Sequence, residues 1–418
     1  MRTAFSLAQL ADPALAEAER NLRACVHCGI CTATCPTYVL LGDERDGPRG
    51  RIVMMQRMLE QGGAPPPETV THVDRCLSCL ACRTACPSGV DYARLVDTAR
   101  AHIAVHHRRP LGARLLRWLI ARVLPRAGLV KSGMALARLF APLATRLPGP
   151  LGALARTARK AAPPVPDVTP VTNITNAKPS RRVALLGGCV QPALAPSIDA
   201  ALTRLLARRG IATVPLSGCC GALAHHLGRG DDARAAARRI VARFETLEGC
   251  DAVTVSATGC AAHLLELPAL FAGDPHWAPR AKAFSARLRD VSALLAPGRA
   301  GAHRLRVAWQ APCSMQNTLH TAGDGRALLE EAGYDVVDIP EGHLCCGSAG
   351  SYSLLQPRIA RALRARKLDN AARTAPDVIA TANIGCLMHL AGDGAPPIVH
   401  LAELLDWSEG GPKPAALG

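Results

Sequence analysis

Apolar and polar positions recur with two different periods along this chain, and the change of period divides it. Over the first hundred residues the repeat is helical. Ile52, Met55 and Leu59 fall at i, i+3 and i+7, after Gly-Pro-Arg-Gly and before Gly62-Gly63 and Pro65 to Pro67. Tyr92, Leu95, Val96, Ala99 and Ile103 mark a second stripe. From Arg181 onward, short apolar runs alternate with helical patterns. Strands are predicted at 183–186, 211–216 and 252–256, with helices at 196–208 and 231–247. The order then returns, with strands at 306–310, 335–339 and 378–381 and helices at 326–332 and 357–374. Such alternation implies βαβ units and a parallel sheet in each half. The expected fold is multidomain α+β: a helical unit over 1–100, a basic helical segment and linker over 101–180, and repeated α/β units over 181–300 and 301–418.

Cysteines give these units their chemistry. Residues 25–36 read Cys-Val-His-Cys-Gly-Ile-Cys-Thr-Ala-Thr-Cys-Pro, and residues 76–87 read Cys-Leu-Ser-Cys-Leu-Ala-Cys-Arg-Thr-Ala-Cys-Pro. Each is C-x2-C-x2-C-x3-C-P, the run that holds cubane 4Fe-4S clusters in two-cluster ferredoxins. Three cysteines two residues apart can wrap one cube, and the fourth, stopped by proline, ligates the other cluster. Cys25, Cys28, Cys31 and Cys86 are therefore assigned to one cluster, and Cys76, Cys79, Cys82 and Cys35 to the other. The helical insert between the runs makes this a helical ferredoxin-type unit. Paired C-x2-C units also build zinc sites, and cysteine runs build disulfide frameworks. Zinc has no use for two matched triple runs each closed by Cys-Pro. Residues 1–22 mix Asp12, Glu17 and Glu19 into a short amphipathic stretch without the apolar centre of a signal peptide, so a cytoplasmic chain with reduced thiols is expected.

The C-terminal repeat is marked by cysteines more firmly than by hydrophobicity. Cys189, Cys219-Cys220-Gly221 and Cys260 are matched by Cys313, Cys345-Cys346-Gly347 and Cys386, at offsets of 124 or 126 residues. The lone cysteines follow predicted strands, which places them at strand carboxyl ends, where open parallel sheets bind ligands. These eight are candidates for a third cluster or metal site. His263 and His389 stand three residues beyond the last cysteine of each unit, a spacing that serves either ligation or simple packing. His27 is expected to tune its cluster without ligating it. Cys250, the one cysteine outside all motifs, reads as a core residue.

The formal charge of +16 is uneven. Residues 101–160 hold twelve Arg or Lys and no Asp or Glu. There Leu115, Leu116, Leu119, Ile120 and Val123 recur at helical spacing beside Arg114, Arg117 and Arg122, a pattern that suits either a helix on an anionic membrane surface or a partly packed linker. Nucleic acid is not the expected partner. Phe, Trp and Tyr together number thirteen, too few for stacking platforms, and no reader motif is present. Residues 161–180, rich in Pro, Thr and Asn, read as a linker.

The stretch Cys25 to Tyr38, its continuation Leu41-Gly-Asp-Glu-Arg-Asp-Gly-Pro-Arg-Gly-Arg51, the residues Asp74-Arg-Cys-Leu-Ser-Cys79 and Cys86-Pro-Ser-Gly-Val90, and the paired CCG units together resemble the iron-sulfur subunits of bacterial glycolate oxidase, also called glycolate dehydrogenase. The resemblance implies an electron-transfer subunit of a glycolate:acceptor oxidoreductase. A partner subunit bearing FAD, accompanied by a related flavoprotein-like subunit, oxidises glycolate to glyoxylate, and this subunit passes electrons to an acceptor such as quinone. FAD belongs to the partner alone, and no hydroxy-acid site is expected in this chain, which has no G-x-G-x-x-G fingerprint. The same layout serves lactate and glycerol 3-phosphate dehydrogenases, and a basic iron-sulfur regulatory binding protein is the alternative from another class. The CCG units resemble the cysteine-rich domains of heterodisulfide reductase, but His263 and His389 stand where that pattern has a further cysteine.

Overall fold

The computed structural model describes residues 1–126, 128–130, 132–133, 179–295, 301, 304–392 and 394–418. Helix α1 (Pro13–Ala24) starts where the Asp12 carboxylate accepts from the Ala14 and Leu15 amides, with Pro13 in the first turn. Helix α2 (Pro48–Gln61) ends at Gly62, and α3 (Pro67–Asp74) follows the proline run. Asp91 caps α4 (Tyr92–His106). The predicted stripes turn inward together: Ile52, Met55 and Leu59 meet Leu95, Val96, Ala99 and Ile103 in one core with Ala18, Leu22 and Val73. Helix α5 (Leu111–Arg122) comes next. All but the last two residues of the predicted 161–180 linker lie outside the described residues.

Two parallel sheets make up the rest. Strands β1 (Arg181–Leu186), β2 (Ile211–Leu216) and β3 (Ala252–Thr254) take the order β2-β1-β3. Strands β4 (Arg306–Gln310), β5 (Asp335–Asp338), β6 (Val378–Thr381) and β7 (Ile398–His400) take the order β5-β4-β6-β7. The central strand of each sheet comes first in its unit, as a repeat requires. β7 has no counterpart among the predicted strands, because three residues carry no readable alternation. In its place the first unit has a single bridge between Val253 and Leu288.

Both faces of these sheets are covered, as parallel sheets demand. Val183 and Leu185 point into a core shared with Val307 and Trp309 of the other sheet, while Ala184 and Leu186 point the opposite way into a second core. Helix α6 (Pro196–Arg208) and α7 (Leu401–Ser408) join the units. There the buried Asp406 carboxylate accepts from Arg204 at 2.5 Å and Arg208 at 2.8 Å. Ala308 and Ile379 face a further core that takes in Leu77 of the helical unit. The second sheet is thereby packed directly against the second cysteine run.

Candidate metal centres

Backbone geometry explains how each run curls. In the first, His27 (φ +58°) and Gly29 (φ +82°) flank Cys28; in the second, Ser78 (φ +53°) and Leu80 (φ +59°) flank Cys79. Left-handed residues on both sides of the middle cysteine reverse the chain twice, so successive sulfurs turn toward a common centre. Ser78 and Leu80 hold this conformation at a cost of about 1–2 kcal/mol each, and such outliers gather at functional sites. Amide donors point at the thiols, from Ser78 to Cys76 Sγ and from Val90 to Cys86 Sγ, each at 3.4 Å.

Thiols of the two runs come together. Cys25, Cys28, Cys31 and Cys86 line one hollow together with His27, Arg49, Tyr92 and Cys82. Burial and then the charges of Cys25, Cys28 and Cys86 push the Cys31 thiol up to about 11. Cys82 is raised by burial and then by Cys79, Cys76 and Cys35. Cys86 of the second run thus lines the hollow of the first, as Cys82 does, and Cys35 of the first run is among the thiols whose charge acts on Cys82.

A buried ion network holds Cys35 in place. Arg51 is 1% exposed; it donates to the His72 carbonyl at 2.7 Å and to Thr37 Oγ1 at 3.0 Å, and its Nη1 lies 3.9 Å from Cys35 Sγ. Asp46, equally buried, receives Arg51 at 3.4 Å, Arg75 at 2.8 Å and His72 Nδ1 at 2.9 Å. Burial opposes the Arg51 charge, yet Cys76, Tyr92, Cys35 and Asp46 hold its pKa above the ordinary value. Asp43, Asp46 and His72 offer donor atoms within 4.8 Å of one another, but Arg45 and the Arg51–Arg75 pair already engage these carboxylates. Sequence reading passed over this network because its residues are scattered and polar. Opposite the network, Arg100 donates to the Cys76 carbonyl at 2.7 Å.

In the C-terminal half every CCG cysteine follows a strand end. Cys220 and Cys260 sulfurs lie 3.2 Å apart, as do Cys346 and Cys386 at 3.3 Å, with Cys313 and Cys345 at 4.0 Å. Cys189 and Cys220 thiols donate to Cys219, which lowers the Cys219 pKa. The CCG glycine is required twice over. Gly221 (φ +92°) and Gly347 (φ +94°) are left-handed, and a Cβ would stand 2.9 Å from the Ala233 carbonyl oxygen and 2.7 Å from that of Ala360. Their amides point at Cys219 Sγ (3.4 Å) and Cys345 Sγ (3.5 Å). Gly347→Ala is expected to destabilise the second unit by about 2 kcal/mol or more, read as a lower thermal midpoint.

The second CCG set adjoins the second run. Burial and then the charge of Cys313 raise the Cys79 thiol, and Asn317 Nδ2 donates to the Cys79 carbonyl at 2.9 Å. Tyr352 OH donates to the Arg75 carbonyl at 3.0 Å. His389 Nε2 is 3.2 Å from the Ala360 carbonyl oxygen, whereas His263 Nε2 and His226 Nδ1 are buried without a partner among the described residues. The His225 ring centroid is 5.2 Å from that of His263, and its Nε2 is 2.8 Å from Asp97 of α4. His343 is exposed, and Cys250 lies in the core as expected.

Burial, followed by repulsion from His225 and Arg100, lowers His226 to about 4, and burial lowers His400 to about 4 as well. Both are neutral when folded and ionise near pH 6.5 when unfolded, so their stabilisation is complete above 6.5 and is lost as pH falls toward 4. Each contributes on the order of 3 kcal/mol at most over that window. Asp199, raised to about 6 by burial, acts in the opposite sense below pH 6. A net fall in thermal midpoint is expected between pH 6.5 and 4, smaller in His226→Gln.

The donor set fits iron-sulfur clusters better than zinc. A tetrahedral zinc site brings its sulfurs to about 3.8 Å from one another, given Zn–S bonds of about 2.3 Å. No three of the seventeen cysteine sulfurs lie within 4.8 Å of one another, and none is disulfide-bonded. The two matched runs, each closed by Cys-Pro, are the donor pattern of 4Fe-4S clusters. These features define an iron-sulfur protein with a dicluster unit and a doubled cysteine-rich unit. The 4Fe-4S dicluster domain family matches residues 21–90, and the Cysteine-rich domain family matches 183–265 and 307–391. The glycolate oxidase iron-sulfur subunit of Escherichia coli (strain K12) is 38% identical over 408 residues, covering 93% of this chain and 95% of the relative. The probable glycolate oxidase iron-sulfur subunit of Bacillus subtilis (strain 168) is 32% identical, covering 93% and 94%. Lactate utilization protein A of Geobacillus thermodenitrificans (strain NG80-2) is 30% identical but matches 54% of this chain. The chain belongs to the family of glycolate oxidase iron-sulfur subunits.

Proposed function

We propose that this chain is the electron-transfer subunit of a glycolate:acceptor oxidoreductase, receiving electrons from an FAD-bearing partner that oxidises glycolate to glyoxylate and delivering them to quinone or another acceptor. Cys25, Cys28, Cys31 and Cys86 would hold one cubane, and Cys76, Cys79, Cys82 and Cys35 the other. The eight CCG cysteines would hold a further cluster or metal. A bound cubane takes up and releases one electron at a time, which suits a flavin that receives a hydride and can release single electrons.

The observation that carries this reading is that an exposed cysteine of the first run and the CCG contact of the second belong to one packed unit. Cys28 is exposed, between exposed Val26 and Ile30, which offers a donor an apolar rim beside a redox ligand. Cys35 is buried against Arg51, and the Cys313 charge acts on Cys79 of the second run. Amide and guanidinium donors at Cys76, Cys86 and Cys35 favour the more negative, reduced state. A quinone acceptor would bring the complex to the membrane surface, on the cytoplasmic side expected for a chain with reduced thiols. Among the described residues no helix is long and apolar enough to cross a membrane.

Co-purification with the flavoprotein subunits, followed by dye reduction with glycolate, lactate and glycerol 3-phosphate, tests the proposal. Glycolate is expected to lead. A lead for lactate would favour the reading that the lactate utilization relatives suggest, and failure to retain any flavoprotein would overturn both.

A further inference from the structure

We infer that α5 seats this chain on an anionic lipid surface; the purpose of that contact rests on the relay reading, but its evidence is the chemistry of one helix. Leu111, Leu115, Trp118 and Leu119 are 79%, 59%, 49% and 39% exposed. They fall at i, i+4, i+7 and i+8, one continuous stripe. The opposite face is already used. Ile120 and Ala121 are buried against Leu227, with Leu116 and Leu223 beside them, and Arg117 reaches inward to Asp74 at 3.0 Å. The stripe is thus an apolar face turned outward on a helix whose inner face anchors it.

Its surroundings select the partner. Val105 and Leu129 are also exposed, so half of the twelve exposed large apolar side chains among the described residues lie within 105–129. Isolated exposed leucines need no explanation, but a cluster does. Arg108, Arg114 and Arg126 are exposed beside it and form no ion pair among the described residues, and residues 101–160 contain no acid to oppose them. Cations flanking an apolar stripe, with an aromatic ring within it, match a headgroup layer of anionic lipid over acyl chains. Twelve residues of helix extend about 18 Å, well short of the roughly 30 Å hydrocarbon core, so α5 lies along the surface. A nucleic acid backbone would match the arginines and leave the leucines in water.

The contact also has a direction. Through Leu223, Leu227 and Leu355, α5 packs on the segments that follow both CCG motifs, so docking brings the side of the molecule that carries them to the bilayer.

The test uses the anaerobically purified full chain and vesicles of phosphatidylcholine with or without phosphatidylglycerol. Binding is expected to anionic vesicles only, to weaken with salt, and to fall at least tenfold in Leu115→Glu and in Trp118→Glu. Trp118→Phe should retain binding while losing the blue shift of tryptophan emission. Equal binding to neutral vesicles, unchanged binding by both Glu variants, or preferential binding to duplex DNA would overturn the inference. Retention in solution together with a flavoprotein complex or a self-dimer that Leu115→Glu abolishes would overturn it too, and would reassign the face. Dye reduction by the Leu115→Glu complex should equal that of the unaltered protein, so a failure of docking is separable from a failure of the relay.

Discussion

Cys79→Ala is expected to abolish glycolate-dependent dye reduction through this subunit while leaving reduction of the partner's flavin intact. The sulfur removed lies where the second run meets the second CCG unit: burial and the Cys313 charge act on Cys79, and Cys79 in turn acts on Cys345. Its left-handed neighbours Ser78 and Leu80 exist to aim it. With one of its four thiolates gone the cubane is lost or reduced to a three-iron form, so about one to four irons per chain should be lost with it. Cys28→Ala should have the same effect on dye reduction from the other set, where the thiol is exposed at the surface. The check is stopped-flow absorbance, following flavin bleaching and dye reduction in the same reaction. Full dye reduction in both variants would remove this chain from the electron path.

Arg51→Met should destabilise the helical unit by about 3–5 kcal/mol, since removing one partner from a buried ion network leaves the other charge uncompensated. The charge left behind is Asp46, with only Arg75 and His72 to balance it. Three further contacts go with the guanidinium, to the His72 carbonyl, Thr37 and Cys35 Sγ. Cys35 then loses its flanking cation, so the cluster absorbance should bleach at a markedly lower temperature than in the unaltered protein. Arg51→Lys keeps the charge without the planar fork and should fall between the two. An unchanged bleaching temperature in Arg51→Met would mean that Thr37 and the backbone suffice to hold Cys35.

What was readable in the sequence was what repeats locally. The stripes of α2 and α4 identify their own buried faces because each helix contains its full period. The CCG offsets locate the cysteines at strand ends because the strands precede them in sequence. Contacts between distant segments left weaker traces. β7 is recognisable only through its pairing with β6, and the Arg51–Asp46–His72 network joins single polar residues from three separate segments, which no apolar period can reveal. The run Leu41 to Arg51, which carries part of the family resemblance, acquires its physical reason only when Asp46 and Arg51 are found against Cys35. In the basic segment, periodicity identified Leu115, Leu116, Leu119 and Ile120 as helical without separating inward from outward. Packing on Leu227 made that division.

Iron, zinc and acid-labile sulfide per chain, measured on anaerobically purified protein beside low-temperature EPR of the reduced state, test the two-cluster assignment most directly. The account predicts at least eight irons with matching sulfide and two interacting cubane signals, one of them lost in Cys79→Ala. Any irons beyond eight should disappear in Cys220→Ala or Cys346→Ala and so identify the CCG site. Zinc without labile sulfide, or a full set of cubane signals surviving in Cys79→Ala, would contradict it.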